Sequence, residues 1–322
     1  MLLSASLSAL LLFSLAFAAD NCSSPIAAPN PSALPAIHPS FDFAGDIEKG
    51  LAANLKFTPS RVVNWTDNKM PMDCVKAAKE HNYGPEDFDV FEVHYNDCGQ
   101  PWVMCRLRDA KVNATTMADV FGRMPLGMRQ YVRHVIVIKQ KDTGSAAAWN
   151  FGDTITLSED CYLHYIFAHE ISHSLDSHVE APHVTKPGQG GLSISLYWAQ
   201  QFILDDATIS EYARTQWSEN LAETGIIALY NMVVPGGVFN LKTDPRHVFH
   251  QFATYQTYYG DLITPGSKMK CNMRLPDSKV VVWNDTNSAP VPAEDHPGFK
   301  IGITLIPPGI FHNVTFADQL EH

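Results

Sequence analysis

The sequence predicts a mixed α/β (α+β) fold, with a small mixed sheet and a mostly helical lower half. Three segments carry this prediction. Residues 134–140 form an almost continuous β-branched run, typical of a strand buried on both faces. Residues 153–160 alternate polar and apolar side chains and end in a turn, as a strand does. After residue 163, apolar residues recur mainly at helical spacing.

The bulk composition is that of a folded, soluble chain. The 322 residues are enough for one large domain with appendages, and 45% of them are hydrophobic, so a sizeable core can form. The formal net charge is -11 without a basic patch, which argues against nucleic acid or an anionic membrane as a partner. Nothing in the sequence indicates an oligomer, so a monomer is the default expectation.

The N-terminus predicts export from the cell. An apolar run over residues 10–17 is followed by the small-residue pattern Ala16-Phe17-Ala18, so residues 1–18 are interpreted as a cleaved secretory signal peptide. No Lys or Arg precedes the run; an N-terminal membrane anchor is the alternative, for which the run is short. We therefore expect a secreted, extracellular protein.

Cysteines and glycosylation motifs agree with export. The six cysteines are Cys22, Cys74, Cys98, Cys105, Cys161 and Cys271. An even number in a secreted chain indicates up to three disulfides, whose pairing cannot be read from sequence. The five N-x-S/T motifs, each a potential glycosylation site, begin at Asn21, Asn64, Asn113, Asn284 and Asn313.

The chain is interpreted as five parts in succession. They are the signal peptide (1–18), a Pro-rich extended segment (19–40), a cystine-containing lead-in (41–116), a main domain (117–262) and a C-terminal extension packed on it (263–322). Within the lead-in, Ile47, Leu51 and Leu55 have helical spacing and predict a helix. Residues 88–95 and 101–107 are strand-like.

The main domain begins with one or two helices broken near Pro125 and continues with the two strands already described. Further helices are predicted around residues 169–173, near 195–205, from about 218, and near 245–259. The strand at 153–160 has two interpretations: an edge strand to which an extended peptide could add, or an interior strand of the sheet.

The stretch A-H-E-I-S-H-S-L-D at residues 168–176 contains the pattern H-E-x-x-H, formed by His169, Glu170 and His173. On a helix, positions i and i+4 lie on one face, so both imidazoles can bind one zinc ion. Glu170 is placed to take a proton from metal-bound water as that water attacks a carbonyl. Because the chain has 14 histidines, the short pattern alone can arise by chance.

Two histidines leave such a site one ligand short. Asp176 lies about 10 Å of helix rise from His169, too far for a short side chain to join the same coordination sphere. His178 and His183 do not fit the spacing H-E-x-x-H-x-x-G-x-x-H, which needs histidine at the position of Val179.

The remaining donor is Glu219, with Glu223 one helical turn later. One carboxylate can bind zinc while the other accepts a hydrogen bond from a ligand histidine and fixes its tautomer. An E-x-x-x-E pair on a helix after the H-E-x-x-H helix is the Glu-zincin arrangement. The residues therefore predict a zinc site formed by His169, His173 and Glu219.

Residues 211–230 resemble the corresponding segment of the anthrax lethal factor-type peptidase domain. The shared pattern Y-x-R-T-x-x-x-E-x-x-A-E is carried by Tyr212, Arg214, Thr215, Glu219, Ala222 and Glu223. The stretch H-E-I-S-H-S-L-D, with Asp176 in place, is similar to that family's helix. The resemblance implies a zincin-like catalytic domain, in which Tyr212 stabilises the oxyanion, Glu219 is the third ligand, and Glu223 and Asp176 support the site.

The chain as a whole resembles fungal conidiation-specific secreted proteins. Residues 101–105, 121–138 and 169–176 carry that likeness. It implies a fungal exoprotein but no particular activity.

The residues favour a secreted zinc-dependent endopeptidase that hydrolyses peptide or protein substrates. Two alternatives stay open. One is a secreted zincin-fold protein, associated with spores or another surface, that binds metal without efficient catalysis. The other is a structural surface glycoprotein in which the H-E-x-x-H pattern is incidental.

Overall fold

The computed structural model describes residues 30–66, 68–144, 146–179, 191–266 and 268–282. The strands in these ranges are Ser60–Asn64 (β1), Lys69–Pro71 (β2), Phe88–Tyr95 (β3), Trp102–Leu107 (β4), His134–Ile138 (β5), Ala148–Phe151 (β6), Thr154–Ser158 (β7) and Val280–Val282 (β8). The α-helices are Glu48–Asn54 (α1), Met72–Glu80 (α2), Ala114–Arg123 (α3), Leu126–Arg129 (α4), Gln140–Thr143 (α5), His164–His178 (α6), Leu196–Phe202 (α7), Trp217–Val233 (α8) and Phe249–Ile263 (α9).

Some sequence predictions concern residues outside the described ranges. They are the signal peptide (1–18), Cys22, His183, the glycosylation motifs at Asn21, Asn284 and Asn313, and the C-terminal extension beyond residue 282.

Six strands form one mixed sheet in the order β1-β3-β4-β5-β7-β6. The central strands β4, β5 and β7 are mutually parallel, while β1, β3 and β6 pair antiparallel with their neighbours. β5 is buried along its whole length, as its β-branched sequence predicts. Helices dominate the described chain after β7. The predicted mixed α/β fold is therefore confirmed.

The sheet continues across the boundary drawn at residue 116. The lead-in supplies β1, β3 and β4, and the two halves join where β4 pairs with β5 between Met104–Arg106 and Val135–Val137. A disulfide between Cys74 and Cys105 ties α2 to β4. The lead-in is thus half of the sheet on which the helices pack.

Of the two interpretations of residues 153–160, the edge position is wrong: β7 lies between β5 and β6. All residues of β7 are buried, and its polar residues Thr154 and Ser158 form side-chain hydrogen bonds there. Thr154 Oγ1 donates to Asp73 Oδ2 at 2.9 Å, for example. The polar residues of this strand therefore take part in buried hydrogen bonds, and β6, next to it, is the terminal strand at this end of the sheet.

The helices α6 and α8 pack directly against each other. Gly225 lies at their contact, where a Cβ atom would be 2.1 Å from Ser172 Oγ of α6. Since no side chain larger than hydrogen fits without movement, this glycine permits the close approach of the two helices. The first turn of α8 is thereby brought beside the middle of α6.

The described part of the C-terminal extension packs on both halves of the sheet. A disulfide joins Cys98 to Cys271, and the backbone N–H of Ser278 donates to His134 Nε2 at 2.9 Å. β8 also pairs antiparallel with β2. Within the described residues Cys161 has no disulfide partner.

No helix in the described ranges combines the length and the apolar character needed to cross a bilayer.

Candidate metal centre

Helix α6 places His169 and His173 on one face, with Glu170 beside them. His169 and Glu170 are buried, 8% and 5% exposed, whereas His173 is partly exposed. Nε2 of His169 lies 3.3 Å from Nε2 of His173, as the i, i+4 spacing predicts. The two imidazoles therefore point at one position in space.

Helix α8 brings Glu219 to the same position from its first turn. Its Oε2 atom lies 3.1 Å from His169 Nε2 and 3.4 Å from His173 Nε2. A carboxylate at a helix N-terminus also interacts favourably with the helix dipole. In the described part of the chain, this is the one group of three or more His, Cys, Asp or Glu side chains arranged to share an ion.

The distances fit a tetrahedral zinc site. Ligand atoms about 2.0–2.1 Å from one tetrahedral ion lie about 3.3–3.4 Å from one another. The three separations here are 3.1, 3.3 and 3.4 Å. Glu219 Oε2 is buried and makes no hydrogen bond of good geometry, although two imidazoles surround it. A buried oxygen in this state is suited to bind a cation.

Charges at the cluster favour a positive centre among the ligands. Burial opposes a charged imidazole, but the carboxylates of Glu219 and Glu223 outweigh it and raise the pKa of His169 to about 10. Burial likewise opposes ionisation of Glu219, and the neighbouring imidazoles His169 and His173 nevertheless lower its pKa well below the usual range. Positive charge, whether a proton or a metal ion, is therefore stabilised here.

Glu170 is a buried acid next to His169 in the sequence. Burial raises the pKa of its carboxyl above the ordinary value, and the charge of Glu219 acts in the same direction. Its backbone carbonyl accepts a hydrogen bond from Asn150 Nδ2 of β6 at 2.8 Å, and the same amide group donates to Ser174 Oγ at 2.8 Å. Asn150 thus fixes the edge strand β6 to helix α6, which carries Glu170.

Glu223, one turn after Glu219, contacts His169, one of the candidate ligands. Its Oε1 atom lies 3.0 Å from His169 Nδ1, and its Oε2 accepts a hydrogen bond from Ser210 Oγ at 2.7 Å. Because Glu223 favours a proton at Nδ1 of His169, Nε2 is the nitrogen that can give up its proton and bind a metal.

Tyr212 lies at the rim of the cluster, in the 3-10 turn Tyr212–Arg214. Its ring centroid is 5.8 Å from that of His169, and its side chain is 54% exposed. Burial, followed by the negative charge of Glu219, raises the pKa of Tyr212 to about 12. The phenol therefore keeps its proton at neutral pH and can donate a hydrogen bond.

Three other side chains that the sequence singles out have partners outside the cluster. The Asp176 carboxylate accepts a hydrogen bond from the Ser193 backbone N–H at 2.9 Å, so it anchors the segment after α6 rather than holding an imidazole. His178 bonds to Asp153 Oδ2 at 2.8 Å. Arg214 forms an ion pair with Glu211 at 2.6 Å.

Sequence reasoning missed Ser210 and Asn150. Ser210 precedes a helical turn, and its Oγ accepts the Ala213 backbone N–H. A serine directly before a helical turn is a common capping residue, so this contact could have been predicted from the sequence. Its hydrogen bond to Glu223 could not be predicted from the sequence. Asn150 gives no sequence signal, because its role depends on how β6 lies against α6.

Two of the predicted glycosylation motifs lie in the described ranges, and both asparagines are exposed. Asn64 is the last residue of the edge strand β1. Asn113 caps α3, where its Oδ1 accepts the Thr116 N–H at 2.9 Å.

Comparison with known proteins identifies a fungal likeness. A family model described as conidiation-specific protein Con-13 matches residues 44–242, a range that includes both motifs. Conidiation-specific protein 13 of Neurospora crassa is 27% identical over 188 residues, covering 55% of this chain. The match spans 51% of that relative, about half its length. No solved structure matches the chain.

Proposed function

The chain belongs to the Con-13 family of conidiation-specific proteins, and we propose that it is a secreted zinc-dependent endopeptidase of the Glu-zincin type. The observation that carries this proposal is the cluster of His169, His173 and Glu219, whose donor atoms lie 3.1–3.4 Å apart. The carboxyl group of Glu170 and the phenol of Tyr212 belong to residues beside this cluster. The resemblance of the sequence to fungal conidiation-specific proteins agrees with the family.

Zinc is the metal that best suits this donor set. Two imidazole nitrogens and one carboxylate are the ligand combination of thermolysin-type sites, which leave a fourth position for water or substrate. Calcium and magnesium prefer oxygen ligands throughout. When bound, zinc supplies Lewis acidity: it lowers the pKa of water and polarises a substrate carbonyl.

Glu170 would act as the general base and acid. It takes the proton of the attacking water and passes that proton to the leaving amine of the peptide. Its raised pKa, caused mainly by burial, brings the carboxyl closer to the pH at which both transfers are efficient. The bond from Asn150 to the Glu170 carbonyl keeps the backbone of the base in place.

Tyr212 would donate a hydrogen bond to the oxyanion that develops on the attacked carbonyl. Its phenol is protonated at neutral pH, and about half of the side chain is exposed, so substrate can reach it. A donor aimed at developing charge stabilises the transition state more than the ground state.

The substrate class follows from the edge of the sheet. β6 pairs on one side with β7 and is the terminal strand of the sheet, next to α6. An open strand edge offers backbone N–H and C=O groups to an extended chain. We therefore propose that an extended peptide or protein segment pairs with β6 and crosses the cluster.

Secretion belongs to the same proposal. The disulfides Cys74–Cys105 and Cys98–Cys271 suit an oxidising compartment, and the interpretation of residues 1–18 as a signal peptide agrees with them.

The test uses the secreted full chain. Elemental analysis should find zinc in the wild type and in Glu170→Gln, while a peptide library should be cleaved by the wild type and not by Glu170→Gln. Glu86→Gln, a change at an exposed acid outside the cluster, is the matched control and should cleave normally. Full cleavage by Glu170→Gln would overturn the mechanism. Zinc without any cleavage by the wild type would favour a metal-binding protein without efficient catalysis.

A further inference from the structure

The hydroxyl of Ser210 both donates and accepts a hydrogen bond. Its Oγ–H donates to Glu223 Oε2 at 2.7 Å, and its oxygen accepts the backbone N–H of Ala213 at 3.0 Å. One hydroxyl therefore connects the carboxylate of α8 to the turn that contains Ala213. Tyr212 is the preceding residue of that turn.

The connection extends to a metal ligand. Glu223 is only 8% exposed, and its second oxygen lies 3.0 Å from His169 Nδ1. The hydrogen-bonded path thus runs from the His169 imidazole through Glu223 and Ser210 to the backbone beside Tyr212. This path connects His169 to the turn that carries Tyr212, and the buried Glu223 carboxylate is its central group.

Other contacts hold this turn, and Thr208 in the chain before it, to the N-terminal segment instead of the cluster. The Thr208 N–H donates to Pro35 O at 2.9 Å, and the Ile37 N–H donates to Thr208 O at 2.8 Å. Arg214 Nη2 donates to Ser32 O at 3.3 Å. These bonds position the outer side of the turn, whereas Ser210 binds its inner side to Glu223.

We infer that Ser210 is a positioning residue that couples the ligand His169 to the phenol of Tyr212. The inference rests on the proposed function for the role of Tyr212, but the coupling itself is a property of this chain's side chains. Without the hydroxyl, Glu223 Oε2 loses its donor and the Ala213 N–H loses its acceptor. The His169 imidazole is then oriented less rigidly, and the Tyr212 phenol is positioned less precisely beside the cluster.

A purely structural reading is that Ser210 only caps a short turn. Ser195 provides the matched comparison, because its Oγ accepts the Trp198 N–H at 3.0 Å and donates to Leu192 O at 2.6 Å. Ser195→Ala therefore removes the same kind of cap hydroxyl without touching Glu223. Ser210→Thr keeps the hydroxyl and serves as the conservative variant.

The first readout is zinc release to a chelator, which does not depend on catalysis. Ser210→Ala should release zinc about 10-fold faster than the wild type, since loss of a hydrogen-bonded partner behind a ligand costs about 10–100-fold in affinity. Ser210→Thr should restore slow release, and Ser195→Ala should release zinc like the wild type. Equal release by Ser210→Ala and Ser195→Ala would overturn the coupling to His169.

The second readout is the kinetic coupling between Ser210 and Tyr212. Ser210→Ala should lower kcat about 10-fold with little change in KM, because it acts on a group that works in the transition state. In a Tyr212→Phe background the same change should have almost no further effect on kcat. Additive losses in the double variant would show that Ser210 does not act through Tyr212.

Amide hydrogen exchange of residues 208–216 in metal-free protein separates this inference from the proposed function. Ser210→Ala should speed exchange in that segment, and Ser195→Ala should leave it unchanged. If the wild type binds no zinc or cleaves no peptide, the proposed function fails while this readout still tests the coupling. Unchanged exchange in Ser210→Ala would then overturn it.

Discussion

The Glu223 carboxylate lies 3.0 Å from Nδ1 of His169, on the opposite side of the ring from the nitrogen that faces Glu219 and His173. This contact connects the two motifs of the sequence. The E-x-x-x-E helix supplies one acid at the candidate ligand position and a second that orients a candidate ligand.

Removing the second acid should weaken metal binding without abolishing it. Glu223→Gln loses the charge that holds the Nδ1 proton, so zinc affinity should fall about 10–100-fold. Competition with a chromogenic chelator measures this. Glu211→Gln, which removes an exposed acid bonded to Arg214, is the control and should bind zinc normally. Normal affinity in Glu223→Gln would remove the orienting role.

The phenol of Tyr212 should matter for turnover rather than for metal. Tyr212→Phe should keep its zinc and lower kcat about 10²-fold, the order expected for loss of one oxyanion donor. Steady-state kinetics on a cleaved peptide measure kcat and KM separately. Tyr258→Phe, a change at a partly buried tyrosine on α9, is the control and should retain wild-type kcat. A Tyr212→Phe protein with wild-type kcat would refute the catalytic role of the phenol.

The separation of α6 and α8 should be sensitive to one methyl group. In Gly225→Ala the new Cβ would lie 2.1 Å from Ser172 Oγ and 2.9 Å from Tyr255 Oη, so these hydrogen-bonded side chains or the helices themselves must move. We expect a loss of about 1–3 kcal/mol in the free energy of unfolding, together with weaker zinc binding. Gly260→Ala on α9 is the matched control, because nothing lies within 4 Å of a Cβ there.

Urea unfolding and zinc content measure both consequences of Gly225→Ala. Gly260→Ala should be as stable as the wild type or slightly more stable, since alanine favours a helix. If the two alanine variants unfold alike, close helix packing at Gly225 is not what holds the cluster together.

The buried His134 should make stability depend on pH. Burial lowers its pKa, although the hydrogen bond between its Nδ1 and Val103 O favours the protonated form. The neighbouring Asp73 and Asp277 oppose this shift, and Arg274 adds to it. Below pH of about 6.5 the unfolded chain takes up a proton that the folded chain resists, so stability is lost as the pH falls.

Urea unfolding between pH 7.5 and 5.5, with a chelator present, tests this dependence. The wild type should lose up to about 1.4 kcal/mol per pH unit more than His134→Gln, which keeps hydrogen-bonding groups but does not titrate. His247→Gln, a change at a more exposed histidine bonded to Asp206, should retain the wild-type slope. Identical slopes for the wild type and His134→Gln would contradict the assignment.

Local patterns predicted much of this molecule. The spacing of His169 and His173 and of Glu219 and Glu223 placed each pair on one helix face, because helical geometry is fixed by the backbone. The buried character of β5 followed from its β-branched run. These inferences required no knowledge of tertiary contacts.

The remaining features depend on contacts between distant segments. The pairing of β4 with β5 and the disulfide partners follow from how the lead-in folds onto the main domain. β7 was ambiguous because its polar alternation, typical of an edge, is satisfied internally by residues such as Asp73. Ser210 was invisible because its partner Glu223 lies 13 residues away on another element.

The central claim is that Glu219 completes a zinc site with His169 and His173. Its most direct test is the zinc content of purified wild type and Glu219→Ala after dialysis against metal-free buffer. We expect about one zinc ion per wild-type chain and almost none in Glu219→Ala, because a catalytic site needs three protein ligands. Equal, stoichiometric zinc in both proteins would contradict it.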